Sequence, residues 1–191
     1  MNLFVEIGKS LLFVPIKLKT FLIMKKLLLL TAAVVLGLTS VNAQDFGLKA
    51  GVDLASAKAE VAGVSVTGTE TGFYIGAFAD IEVSESFTFQ PSVMYVSVDE
   101  LDQIAIPLMA KFPVSEEFNV LAGPSLGILL DTVDGMKSLN FGLEAGVAYD
   151  ISEELFVEAR YSLGLANLIE DAPDDYSSKL SGFFIGVGYK L

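Results

Sequence analysis

The sequence predicts an all-β protein: an eight-stranded antiparallel up-and-down transmembrane β-barrel (a meander), preceded by a cleaved signal peptide. Three observations carry this. Apolar residues alternate with polar or small ones through most of residues 44–191, the period-2 pattern of strands with two unlike faces. Three stretches, IEVSESFTF (81–89), FPVSEEFNV (112–120) and YDISEELFV (149–157), make nearly the same Ser-Glu turn after a long apolar run. An export signal comes before all of them, and no later apolar run reaches the roughly 20 residues of a spanning helix.

The export signal begins at Met24. Lys25 and Lys26 form its charged start, Leu27–Leu38 its apolar run, and Val41-Asn42-Ala43 its small-x-small end, so cleavage is expected after Ala43. Residues 1–23 precede a complete signal and are expected not to be translated, an upstream start having been read in place of Met24. The barrel domain is then 44–191. Removing 1–43 takes away five of the 12 basic residues and one of the 24 acidic ones, which leaves a net charge of −16 on the exported part. So acidic a surface argues against nucleic acid, whose phosphates need a basic one. The chain has no Cys, which excludes disulfides, thiolate metal sites and a lipid-anchor cysteine. It has no His, the commonest general base and metal ligand.

Strands are expected at 45–55, 71–83, 87–98, 103–112, 118–130, 139–150, 155–168 and 179–191. In the sixth, Leu139, Phe141, Leu143, Ala145, Val147 and Tyr149 form one face, against Asn140, Gly142, Glu144, Gly146, Ala148 and Asp150. The seventh sets Val157, Ala159, Tyr161 and Leu163 against Glu158, Arg160, Ser162 and Gly164, and the eighth sets Phe183, Ile185, Val187 and Tyr189 against Gly182, Phe184, Gly186 and Gly188. Pro91, Pro107 and Pro124 fall inside strands and are expected at bulges or strand ends, because proline cannot donate to a ladder. The three Ser-Glu turns join strands 2–3, 4–5 and 6–7 with 3–5 residues each. The alternate connections, 56–70, 131–138 and 169–178, are longer and acidic, with 99–102 the exception. Short turns at one end and long loops at the other mark an outer-membrane barrel, periplasmic below and extracellular above.

Which face points outward separates a membrane barrel from a soluble one. The polar face carries glycine, small residues and the charges Lys49, Asp53, Asp80, Lys111, Glu144, Glu158, Arg160 and Lys190. That suits a narrow lumen with paired charges, since an eight-stranded interior holds little more than side chains. Aromatics at strand ends (Phe46, Phe87, Phe112, Phe118 and Tyr149 below, Phe73 and Tyr95 above) fit interfacial girdles built without Trp.

The runs GFYIGAFADIEVSESFTFQPSVMY, IPLMAKFPVSEEFNVLAGPSLGILL and FGLEAGVAYDISEELFVEARYSLGLANL, with the final IGVGYKL, resemble the PorT-type outer-membrane β-barrel family over nearly all of 44–191. The most specific segments are Ile106-Pro107-Leu108, Ala122-Gly123-Pro124 and Ala159-Arg160-Tyr161-Ser162-Leu163-Gly164-Leu165. The resemblance implies an exported eight-stranded barrel in the outer membrane. PorT itself serves a secretion and gliding apparatus; this chain is shorter, and that role does not carry over. The ending Gly186-x-x-Tyr189-x-Leu191 resembles the signal read by the barrel-assembly machinery, with Leu where Phe is usual and Phe184 where a polar residue is usual.

The candidate site is an ion network in the lumen: Glu144, Glu158 and Arg160, inward on adjacent strands, with the only arginine of the chain between two carboxylates. It is read as charge pairing in a filled lumen, with an ion path as the alternative. The loop acids (Glu60, Glu70, Asp99, Glu100, Asp102, Asp131, Asp134, Glu170, Asp171, Asp174, Asp175) are read as solvated and lack EF-hand spacing. No cofactor, metal site or enzymatic activity is expected. The partners expected are outer-membrane lipid and the assembly machinery. The functional reading is a small structural or interaction barrel with acidic extracellular loops. Two alternatives stand beside it: a narrow channel or transport- or secretion-associated component, and a secreted soluble barrel holding an apolar ligand.

Overall fold

The computed structural model describes residues 44–191 except 62, 100, 131, 133, 134, 171, 172, 174 and 175. The expected signal segment 24–43 and the upstream 1–23 lie outside the described residues. The described chain forms eight strands in the order β1 Gln44–Val61, β2 Val64–Ser84, β3 Phe87–Val98, β4 Leu101–Pro113, β5 Phe118–Leu129, β6 Leu139–Asp150, β7 Leu155–Gly164 and β8 Tyr176–Lys190. Each pairs antiparallel with its neighbours in sequence, and β1 pairs with β8, so the sheet closes into a barrel with no crossover. Closure leaves no sheet edge within the barrel wall, the condition for putting strands into lipid.

The two faces separate as the alternation requires. Leu143, Leu163, Tyr161, Ile185 and Val187 are exposed on the outside, between 45 and 51%. Lys49, Asp53, Asp80, Lys111, Glu144, Glu158 and Arg160 are buried inside. A barrel that exposes its apolar side chains and buries its charges is built for lipid. At the outer surface Phe87 stacks on Phe112 with centroids 5.4 Å apart at one end of the strands, and Phe73 tilts against Tyr95 at 6.3 Å at the other.

The Ser-Glu turns share one hydrogen-bonding scheme in two cases. In 114–117, the Val114 and Ser115 amides donate to the Phe118 carbonyl at 2.8 and 3.2 Å, and Ser115 Oγ accepts from the Phe118 amide at 3.1 Å. In 151–154, the Ile151 and Ser152 amides donate to the Leu155 carbonyl at 2.7 and 3.1 Å, and Ser152 Oγ accepts from the Leu155 amide at 3.0 Å. The serine hydroxyl takes up a backbone donor that the turn would otherwise leave to water. The first turn is tighter: only residues 85 and 86 separate β2 from β3, and a register shift between Glu82 and Ser84 accommodates it.

Four expectations need correction. The stretch 56–70 is not a long loop: β1 and β2 run on as a hairpin, from Ser56↔Thr69 to Val61↔Val64, and turn at Gly63 with φ +81°. β4 starts at Leu101, so 99–102 shrinks to two residues. β7 stops at Gly164 and β8 starts at Tyr176, which moves that loop to 165–175. The prolines lie neither at bulges nor at strand ends. Pro91 faces Ala79, Pro107 faces Ser92 and Pro124 faces Leu108, each within a short unpaired gap flanked by the same register on both sides. A proline removes one donor locally without adding a residue, so pairing lapses and register survives.

Candidate functional site: a charged layer across the lumen

Period-2 alternation sends Phe156, Glu158, Arg160 and Ser162 of β7 inward, and Gly142, Glu144, Gly146 and Ala148 of β6 beside them. Arg160 is registered opposite Gly146 on one side and Phe184 on the other, with Glu144 opposite Ser162, so Arg160 and Glu144 are diagonal neighbours. Glycine opposite the arginine is required by space: a Cβ at Gly146 would lie 2.6 Å from Arg160 Cγ. At Gly186 a Cβ would strike the Tyr74 hydroxyl, and the missing side chain admits that ring to the lumen.

The three residues read from the sequence come together. Arg160 Nη1 is bonded and ion-paired to Glu144 Oε2. Its Nε lies 3.1 Å from Glu158 Oε1, an ion pair whose angle is not that of a hydrogen bond. Arg160 is 0% exposed, Glu158 2% and Glu144 3%. The guanidinium sits over Phe184 at 5.2 Å and Tyr74 at 5.9 Å, and its Nη2 donates to Met94 Sδ at 3.4 Å. Aromatic faces and a thioether thus take up what the carboxylates leave of the cation.

Two further members join them that the sequence does not pair. Lys49 Nζ lies 3.6 Å from Glu158 Oε2, and the Tyr74 hydroxyl donates to Glu158 Oε1 at 3.0 Å. Alternation places Lys49 inward, but its partner sits across the β1–β8 seam and the sequence alone does not give that register. Below this layer, toward the short turns, Lys111 pairs with Asp80 at 3.2 Å and Gln90 donates to Asp80 at 2.6 Å. Phe78 and Phe156 meet edge to face there, centroids 5.4 Å apart. At the lower mouth Lys190 pairs with Asp150 at 3.4 Å, and Asn119 donates to Asp150 at 2.8 Å. Above, a cavity of about 340 Å³ opens among Ala55, Val98, Leu101, Gln103 and Leu180, with Glu70 and Asp99 on its wall. Among the loop acids, Glu60 lies 4.0 Å from Lys58, exposed, and Asp102 accepts from the Tyr95 hydroxyl at 2.7 Å. Among the described residues no set of three His, Cys, Asp or Glu side chains is placed to hold a metal ion.

Chemically, the arrangement is a stack of buried ion pairs sealed by rings and methionines. Each carboxylate of the central layer, Glu144 and Glu158, has a cationic side chain within ion-pair distance. Such a layer fills the lumen.

No curated protein sequence matches the chain. Among solved structures, Neisserial surface protein A matches with a TM-score of 0.50 at 17% identity, over 78% of this chain and 100% of that one. The attachment invasion locus protein Ail of Yersinia pestis matches with 0.47 at 16% identity, over 77% and 98%. OprG of Pseudomonas aeruginosa matches with 0.43 at 16%, over 78% and 96%. A family model described as the outer membrane protein beta-barrel domain covers residues 27–190. With its closed eight-stranded wall, apolar outside and charged inside, the chain belongs to the outer membrane protein beta-barrel domain family and is a small barrel of the outer membrane with a side-chain-filled lumen.

Proposed function

We propose that the protein is a non-conducting barrel whose working surface is its extracellular end. The observation that carries this is the Arg160 layer, in which Arg160, Glu144, Glu158 and Lys49 cross the lumen with side chains essentially sealed from solvent. A lumen filled this way spans the membrane without transporting through it, which leaves the β1–β2 hairpin and the acidic outer loops to do the work. That hairpin reaches well past the 9–11 residues that span a bilayer, with strands of 18 and 21 residues. Recording in planar bilayers tests the proposal: purified protein is expected to give no steady current, and a reproducible ion-selective conductance would make the channel reading the better one.

Three finer statements belong to the same proposal. Within the family, the Ile106-Pro107-Leu108, Ala122-Gly123-Pro124 and Ala159–Leu165 segments support a PorT-type grouping, without PorT's own role. Export through 24–43 with cleavage after Ala43 precedes insertion, and N-terminal mass spectrometry of envelope fractions is expected to find Gln44 first. The ending Gly186-x-x-Tyr189-x-Leu191, outward at Val187 and Tyr189, supports delivery by the barrel-assembly machinery. Catalysis forms no part of the proposal, since the chain offers neither His nor Cys as a general base or nucleophile.

A further inference from the structure

The buried charges do not balance. Among the described residues the buried basic side chains are Lys49, Lys111 and Arg160, against the buried acidic side chains Asp53, Asp80, Glu144 and Glu158. Asp80 has Lys111, Glu158 has Lys49 and Arg160, and Glu144 has Arg160. Asp53 is left over. It is 1% exposed, and among the described residues it has no ion pair within 4 Å and its Oδ1 has no hydrogen-bond partner. An ionised carboxylate buried without a partner is among the costliest groups a fold can carry.

Asp53 faces a small chamber. Just above the Arg160 layer lies a space of about 20 Å³, walled by Asp53, Asn140, Glu144, Ser125, Ser162 and Ser181 among others. Asn140 Oδ1, in the same wall, is also buried without a partner. Two acceptors without donors share a polar space of about one water volume. Gln103 and Leu180 line both this chamber and the 340 Å³ vestibule above, so the two spaces adjoin across these two side chains. Gly182 keeps the approach to the carboxylate open, since a Cβ there would lie 2.6 Å from Asp53 Oδ1.

We propose that this chamber is a binding site for one small monovalent cation of the Na⁺ type, entering from the extracellular vestibule and held by Asp53 and Asn140 Oδ1. The chemistry selects the class. The excess charge is a single negative one, which a monovalent ion cancels. The wall is oxygen-rich, with the Asp53 carboxylate, the Arg160-paired Glu144 carboxylate, the Asn140 and Gln103 amides and serine hydroxyls, which suits a hard cation. A divalent ion of the Mg²⁺ type retains several waters, and a chamber of this size has no room for them. Glu70 and Asp99, on the vestibule wall, raise the local concentration of cations at the entrance. The bound ion completes the charge pairing of the lumen.

The test is equilibrium unfolding of the full barrel, folded in detergent micelles, with Na⁺ replaced stepwise by choline at fixed ionic strength so that general screening is constant. A ligand held only by the folded state raises stability with its concentration, by about 1.4 kcal/mol per tenfold once the site is saturating. The wild type is expected to show that rise with Na⁺, and Asp53→Asn to be insensitive to the exchange whatever its own stability. Gly182→Ala, which crowds the carboxylate but keeps its charge, is expected to shift the response to higher Na⁺. Identical wild-type curves in Na⁺ and choline would overturn the proposal. So would stability that rises on acidification with no Na⁺ dependence, since a proton would then be the neutralising group. An Na⁺ response that persists in Asp53→Asn would place the ion elsewhere and overturn the site.

Discussion

Arg160→Ala removes the one cation shared by two buried carboxylates, and its cost follows from what each keeps. Glu158 retains Lys49 at 3.6 Å and the Tyr74 hydroxyl at 3.0 Å. Glu144 loses its ion pair and stays buried, 3% exposed in the wild-type barrel. Most of the loss therefore comes from one uncompensated buried carboxylate, roughly 3–5 kcal/mol. Removing the guanidinium from the faces of Phe184 and Tyr74 adds about 0.5–2 kcal/mol. Rescue by a second substitution should therefore be unequal. Adding Glu144→Gln should recover more than half of the loss, because it neutralises the group left alone. Adding Glu158→Gln should recover little and strand Lys49 instead. Urea titration of the micelle-folded barrel, followed by far-ultraviolet circular dichroism and by gel mobility, measures all four proteins; the chain has no Trp to report by fluorescence. An Arg160→Ala barrel within about 0.5 kcal/mol of wild type, or equal rescue by both glutamines, would refute the reasoning, since water would then be screening the lumen.

Substitutions in the wall and the turns have their own expected outcomes. Leu143→Arg or Ile185→Arg, placing a charge at mid-strand toward lipid, should cost about 2–4 kcal/mol in vesicle-folded protein, measured by urea titration. Gly146→Leu should prevent native folding by displacing Arg160, seen as loss of the compact gel form, whereas Ala145→Leu on the outer face of the same strand should fold. Ser115→Ala and Ser152→Ala should each cost about 0.5–1.5 kcal/mol in the same titration by removing the hydrogen bond from the Phe118 or Leu155 amide, and the two losses should add.

The strand count, the inside–outside sense and the central ion pairs are legible in the sequence because each rests on local rules. Alternation at Glu158 and Arg160 alone puts both in the lumen, and one short turn, 151–154, brings Glu144 beside them. Lys49 and Tyr74 are not legible as partners of Glu158, since β1 and β2 meet β7 only through closure of β1 on β8. The outer hairpin reads as a loop because the two glycines and the acid of GTETG imitate one, although Val64, Val66, Thr67, Thr69 and Thr71 are the β-branched residues a strand prefers. The aromatic and methionine filling by Tyr74, Phe78, Met94, Met109 and Phe156 is hidden too, because a face of mixed apolar and charged residues gives alternation nothing to contrast. Asp53 can be placed inward from its sequence position, but its lack of a partner emerges only when every other buried charge has found one.

Single cysteines test most directly whether β6 and its neighbours turn their apolar face to lipid and their charged face to a closed lumen. The chain has no Cys of its own, so each introduced thiol reports cleanly. Cysteine at Ala145 or Val147, labelled with a fluorophore in vesicles, should be quenched by a lipid-dissolved quencher and not by an aqueous one. Cysteine at Ala148, 3% exposed on the opposite face, should remain unreactive to a small water-soluble thiol reagent until the barrel is unfolded. Aqueous quenching at Ala145 and Val147 would contradict the lipid-facing assignment, and rapid aqueous labelling at Ala148 would contradict the closed lumen.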